Sequence, residues 1–222
     1  MKSIKFAFMD RDICLQDNHL LVVIENKDIW SSLMTFMYSG FVLESEVMEI
    51  YEEEKKLDVD DSCHFISNPY FLELNTKKNI QALYKKLKIQ YFDKLKDNLA
   101  QINEIAEKTV KDISVDYDVD LSMVAHIKED DIFKLMSVQF SDLDTNKVER
   151  FVKYIEITND LQRINVFIAV HLKESFSEEE LLLIEKQLLY KKIYLVDFET
   201  NDLDSNALER KVIVDKDLCI VN

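Results

Sequence analysis

The string IYLVD, Ile193 to Asp197, is an apolar run closed by a carboxylate, the form of the strand that helps hold magnesium in P-loop nucleotide hydrolases. Such enzymes also need G-x-x-x-x-G-K-[ST], whose glycines let backbone N–H groups wrap the phosphates while the lysine neutralises their charge. The one glycine, Gly40, sits in YSGFV with no Lys-Ser or Lys-Thr pair after it. An aspartate alone does not replace the missing phosphate contacts. Nucleotide hydrolysis is therefore the alternative reading, and Asp197 is expected as a strand-ending acid at the rim of a sheet. His19, His64, His126 and His171 are scattered and form no H-x-x-x-H or Cys/His ligand spacing. G-x-S-x-G is also absent. Nothing in the sequence assembles an enzyme.

Two acidic stretches offer oxygen ligands. DYDVD, Asp116 to Asp120, alternates carboxylates with bulkier residues, and KEDD, Lys128 to Asp131, adds more nearby. Calcium takes about six to eight oxygens, so the material suits it. The EF-hand glycine and late glutamate are missing, and a solvated acidic face explains the same residues. Lysines at 77, 78, 85, 86, 88, 94 and 96 form a second charged group. A solvated helix face is their default. Few aromatics interleave with them, so base stacking is not indicated, and duplex backbone binding without sequence preference is the more natural use.

The elements that must position these residues follow from apolar spacing. KFAFM, Lys5 to Met9, predicts a short strand, and LLVVIE, Leu20 to Glu25, has the unbroken apolar character of a strand buried on both faces of a parallel sheet. Ile29, Leu33, Phe36 and Met37 predict a helix over 28–38, with Asp28 in its first turn. The stretch 43–57 is strongly acidic, and CHFIS, Cys63 to Ser67, is a candidate third strand. From Asn75 to Lys111 apolar residues recur at helical spacing, which predicts one long amphipathic helix with at most one break. On such a helix Lys78, Lys85 and Lys96 share nearly one azimuth, away from the apolar stripe. Helices are also expected over 130–136 and 146–160.

The closing unit is the clearest. Ile164 to Val170 predicts a buried strand. Ser177 and Glu180 form an S-x-x-E capping box, and Phe176 with Leu181 occupy the hydrophobic staple positions, so three local signals agree on one helix start. KKIYLVD, Lys191 to Asp197, predicts the strand after it. Two strands joined by such a crossover are expected to be parallel. The expected fold is an α/β head, residues 1–74 and 151–222, interrupted by a helical leg over 75–150.

Composition agrees. One glycine and one proline argue against many tight turns, and 47% apolar residues can fill a core. Cys14, Cys63 and Cys219 are too scattered for a disulfide framework or a CxxC site and are expected to be reduced and largely buried. No run approaches the roughly 20 apolar residues of a membrane span, and the N-terminal apolar run is too short for a signal peptide, so a cytoplasmic location without membrane contact is expected. The net charge of -15 would repel nucleic acid as a whole, but fields are screened beyond roughly 8 Å at physiological salt. Local distribution decides.

Taken nearly end to end, the chain resembles the Csn-two family of type II-A CRISPR spacer-acquisition proteins, in its short form. The resemblance rests on FAFMDRDICLQDNHLLVVIENKDIWSSLMTFMY, on SCHFISNPYFLEL, on NKVERFVKYIEITNDL, and on the closing strand, helix and strand with the terminal DKDLCIVN. It implies a degenerate P-loop-like head with a helical leg, a ring-shaped homotetramer that binds calcium, and linear double-stranded DNA threaded through a lysine-lined hole. It further implies no catalytic role and action beside the CRISPR effector nuclease and integrase proteins. The family's acidic cluster is best matched by Glu129, Asp130 and Asp131, with Asp118 and Asp120 as additions. The DNA-facing set, inferred from helix geometry, is Lys77, Lys78, Lys85, Lys86, Lys88 and Lys96. A ring closed by symmetry would reconcile -15 per chain with DNA, because several copies of one basic edge converge on an axis. Two competing readings are a divergent nucleotide hydrolase built on Asp197 and an acidic scaffold that touches only protein partners.

Overall fold

Strand and helix order were established from a computed structural model, which describes residues 2–9, 12–15, 18–41, 47–117, 121–122, 126–129, 131–142 and 145–221. In chain order the elements are β1 (Lys2–Phe6), β2 (Ile13–Cys14), β3 (His19–Ile24), α1 (Lys27–Tyr38), β4 (Met48–Glu52), β5 (Lys55–Leu57), α2 (Val59–Ser62) and β6 (Cys63–Ile66). Then come α3 (Lys77–Gln90), α4 (Phe92–Ser114) and α5 (Ile132–Leu135). The chain closes with α6 (Lys147–Gln162), β7 (Val166–Val170), α7 (Leu172–Ser175), α8 (Glu178–Tyr190), β8 (Tyr194–Glu199), β9 (Glu209–Val214) and β10 (Ile220–Val221). These elements gather into two compact units, residues 1–73 with 143–222, and residues 74–142.

The first unit is α/β with mixed sheets. Its larger sheet has the order β10-β9-β3-β8-β7-β6, parallel throughout except for β10 at one edge. Every residue of β3 and β7 is buried, as their unbroken apolar runs require of central parallel strands. Side chains alternate between two faces. Ile168, Val196, Phe198, Leu20, Val22 and Ile24 join Leu33, Phe36 and Met37 of α1 in one core, which also takes in Ile4, Phe6, Met48 and Ile50 from the smaller sheet. The other face carries Leu195, Asp197, Glu199 and His19. Helix α8 lies over it, since the ring of His19 meets the Glu185 carbonyl of α8 at 2.9 Å.

That smaller sheet, ordered β2-β1-β4-β5 and antiparallel throughout, was not anticipated. The acidic character of 43–57 hides it. Within MEIYE the buried Met48 and Ile50 alternate with more exposed Glu49 and Tyr51, a period of two easily lost among carboxylates. Glu52 pairs with Lys55, and both residues of the loop between, Glu53 and Glu54, have positive φ (50° and 70°). The turn is thus of the hairpin type that glycine usually supplies. Strands β9 and β10 were also unexpected, because ERKVIV mixes charges into a strand at the sheet's margin.

The closing helix begins as expected. Ser177 Oγ accepts the Glu180 N–H at 3.2 Å, Glu180 Oε2 accepts the Ser177 N–H at 2.9 Å, and Phe176 and Leu181 are both buried. The cysteines differ from expectation: only Cys63 is buried, Cys14 is half-buried and Cys219 exposed, and all three are free.

In the second unit the predicted long helix has the one break that its pattern allowed, and it forms two segments. The chain breaks at Tyr91, whose φ of -120° and ψ of 23° leave helical geometry, so α3 and α4 are separate segments. Two asparagines bind the return chain by mimicking a backbone pair. Asn75 donates to the Phe140 carbonyl at 3.0 Å and accepts its N–H at 2.9 Å; Asn103 does the same with Ile127 at 3.1 and 2.9 Å. Tyr84 donates its hydroxyl to the Val138 carbonyl at 2.9 Å. Among the described residues no helix is long and apolar enough to cross a membrane.

Candidate functional site

In a parallel sheet, ligands gather outside the carboxyl ends of the strands. There β3 ends at Ile24 and α1 starts at Lys27, with only Glu25 and Asn26 between. Asn26 Oδ1 accepts the N–H groups of both Asp28 and Ile29 at 3.1 Å, so two of the helix-start donors that could face a phosphate are already engaged. The acidic Asp28 in the first turn adds repulsion toward an anion. Beside this connection lies a cleft of ≈ 500 Å³ whose lining includes Glu25, Lys27, Trp30, Asn201, Asp202 and Lys216.

Asp197 is not where the sequence placed it. Strand β8 runs on to Glu199, and the register sets Asp197 opposite Ala169 and Leu21 in the interior of the sheet, 5% exposed. Its Oδ1 accepts the Leu172 N–H at 3.3 Å, and its Oδ2 has no hydrogen-bond partner. Burial, and then the neighbouring charge of Glu199, hold this carboxyl well above the usual carboxylate range. The apolar run YLV drew the strand's end too early.

Around Asp197 the face beneath α7 and α8 is a chain of polar contacts. Glu199, 1% exposed, accepts from His171 Nδ1 at 3.1 Å and from the Lys173 N–H at 3.0 Å. The Lys173 ammonium reaches Glu209 at 2.8 Å, and Glu209 also accepts the Asn206 N–H at 2.7 Å. Asn206 in turn donates to Glu185 at 2.6 Å. Burial first, then the charge of Glu209, pushes Glu185 up to about 8. His171 itself has φ 55° and ψ 38°, a left-handed conformation uncommon for a residue with a side chain. Its ring lies 5.2 Å from that of Trp30.

Among the described residues, one group of three donor side chains converges: His171, Glu174 and Glu199. Sequence reasoning missed it because Glu199 is distant in the chain from the other two. Parallel pairing of β7 with β8 brings them together. The legible signal was two carboxylates inside the apolar string YLVDFE, where a buried strand should carry none.

The expected calcium ligands are only partly in view. Asp118, Asp120 and Asp130 lie outside the described residues. Glu129 is half-buried, and Asp131 is exposed with Lys134 at 3.8 Å, an i,i+3 pair.

The lysines divide between helices. Lys77, Lys78, Lys85, Lys86 and Lys88 belong to α3, whose sequence KKNIQALYKKLKIQ contains no acidic residue, whereas Lys94 and Lys96 belong to α4. Lys77, Lys78, Lys85, Lys94 and Lys96 are exposed, and Lys86 and Lys88 half-buried. The break at Tyr91 means that one continuous helical azimuth no longer relates Lys96 to Lys78 and Lys85. On α4, Ile102, Ile105 and Ile113 fall within an arc of about 80° at 100° per residue. They remain 39%, 66% and 47% exposed.

An α/β unit whose strand-to-helix connection is two residues long, carrying a separate helical unit, is the class that these observations define. The family profile described as CRISPR-associated protein (Cas_Csn2) matches residues 41–218, well over half of the chain, and the protein belongs to that family. No curated protein sequence matches it. Among solved structures, a chain described as an ABC transporter ATP-binding protein from Pyrococcus furiosus superposes with a TM-score of 0.40 at 12% identity, covering 95% of this chain and 96% of its own.

Proposed function

We propose that this CRISPR-associated protein is a non-catalytic, ring-forming homotetramer that holds linear double-stranded DNA by its phosphates, without sequence preference, while new spacers are captured. Helix α3 carries the reading: five lysines and no acid in 14 residues, on a chain whose net charge is -15. A face so unlike the rest of the sequence is suited to a polyanion, and phosphate contacts of this kind are blind to base identity. The exposed isoleucines of α4 supply apolar surface for self-association. Closure by symmetry multiplies a modest basic edge without adding charge to any one chain.

The head in this proposal is a P-loop-type scaffold that has lost its phosphate loop. The two-residue connection after β3 and the engaged N–H groups at Asp28 and Ile29 support that view. Calcium, held by Glu129, Asp130 and Asp131 with Asp118 and Asp120, belongs to the same proposal, as do the CRISPR effector nuclease and integrase proteins as partners.

The test combines light scattering, with and without calcium, and a mobility-shift comparison of one duplex as a linear fragment and as a closed circle. A tetramer that shifts the linear form and leaves the circle free is the expected result. A chain that stays monomeric, or binds both forms equally, ends the proposal. Background ATP turnover that Asp197→Ala leaves unaltered is expected as well; turnover abolished by that substitution would favour the hydrolase reading.

A further inference from the structure

We propose that His171, Glu174 and Glu199 hold one first-row divalent cation, of the Mn²⁺ or Zn²⁺ type, at the carboxyl edge of the parallel sheet. The site lies in the α/β unit and shares no residue with the acidic stretch of the helical unit.

Geometry is the first support. One donor atom from each of the three side chains lies within 4.8 Å of the others. Ligands about 2.1 Å from a common ion are roughly 3 to 4 Å apart, a spacing that a small swing of the exposed Glu174 side chain can reach. The other two donors are already fixed. Glu199 is buried and held by the Lys173 N–H, and His171 is packed against Trp30. Entry of a cation displaces the proton that His171 Nδ1 now shares with Glu199 Oε2 at 3.1 Å.

An independent observation points to missing positive charge at the same place. Asp197 lies two residues before Glu199 on the same face of β8, and its Oδ1 is tied to the N–H of Leu172, the residue directly after His171. The buried Oδ2 beside it has no proton donor. Asp197, Glu199 and Glu209 are all under this turn, with Lys173 as the ammonium facing them. Buried carboxylates in such excess over cations are costly unless they take up protons or a positive ion joins them. The donor set also selects the ion, since an imidazole with two carboxylates suits Mn²⁺ or Zn²⁺ and offers too few oxygens for Ca²⁺.

The chain's single tryptophan supplies the readout. Trp30 lies 5.2 Å from the His171 ring, so its fluorescence should be quenched by Mn²⁺ in a saturable titration, with native mass spectrometry giving one ion per chain. Zn²⁺ should compete and equimolar Ca²⁺ should not. Glu174→Gln alters an exposed side chain, and His171→Asn keeps a residue that tolerates the left-handed backbone. Each is expected to weaken Mn²⁺ binding about tenfold or more. The double variant Glu129→Gln with Asp131→Asn is expected to bind as the parent does. Absence of saturable quenching up to millimolar Mn²⁺, unchanged affinity in either single variant, loss in the double variant, or equal competition by Ca²⁺ would each overturn the assignment. DNA binding plays no part in any of these outcomes, so they are separable from the fate of the ring proposal.

Discussion

The main-chain N–H of Leu195 donates to Nδ1 of His19 at 2.8 Å, so the ring must be neutral, with its proton on Nε2 facing the Glu185 carbonyl 2.9 Å away. Burial lowers His19 from 6.5 to about 4, while burial raises Glu185 from 4.5 to about 8. The two act on stability with opposite signs. From about pH 4.5 to 6.5 the unfolded chain protonates His19 and the folded chain protonates Glu185, so their effects cancel. Between about 6.5 and 8 His19 no longer differs, whereas Glu185 still does. The folded state binds the extra proton, and stability falls as pH rises, by about 1.4 kcal/mol per unit. Asp197, also raised, contributes in the same direction. Denaturant unfolding of the parent and Glu185→Gln over pH 6.5 to 8 checks this. The variant, which can still accept from Asn206, should lose about one proton's worth of slope; identical slopes would refute the assignment.

Ser177→Ala should cost about 1 kcal/mol in an equilibrium melt, the ordinary worth of a helix N-cap. Glu180 would retain Lys147 at 2.9 Å, so the loss should stay local to the start of α8. A drop of several kcal/mol would mean that the cap also holds the Phe176 and Leu181 staple in place.

Lys77 and Lys85 are exposed on α3, a helix without an acidic residue. Replacing both by Gln is expected to weaken binding of every linear duplex alike and to flatten the dependence of log K on log salt by about 0.9 for each phosphate no longer neutralised. A change that depended on sequence would place these side chains against bases instead.

Ile105 is 66% exposed, so Ile105→Asp should leave thermal stability within about 0.5 kcal/mol of the parent. If α4 is the surface of self-association, the same substitution should lower the mass seen by light scattering. An unaltered mass would direct attention to another face.

Much of the α/β unit was legible because its strands are buried on both faces and its last helix carries a complete start signal. HLLVVI and VFIAV have the unbroken apolar character of strands buried on both faces, and Ser177 with Glu180 marks a boundary by local chemistry alone. The β4–β5 hairpin was not legible, since its turn uses two glutamates at positive φ where glycine or asparagine gives the usual signal. Tyr91 breaks the helix without proline or glycine, so the spacing allowed a break but could not place it. The carboxyl-edge cluster depends on a register between β7 and β8 that spacing along the chain does not encode.

The connection from β3 to α1 constrains what can be held beside it. Two residues span at most about 7 Å, too little chain to travel around a triphosphate. Point mutation at Glu25 and Asn26 therefore cannot by itself create a triphosphate grip here, whatever residues are tried. A loop able to wrap phosphates at this point would take inserted residues, so the short connection by itself fixes how closely strand and helix stay joined.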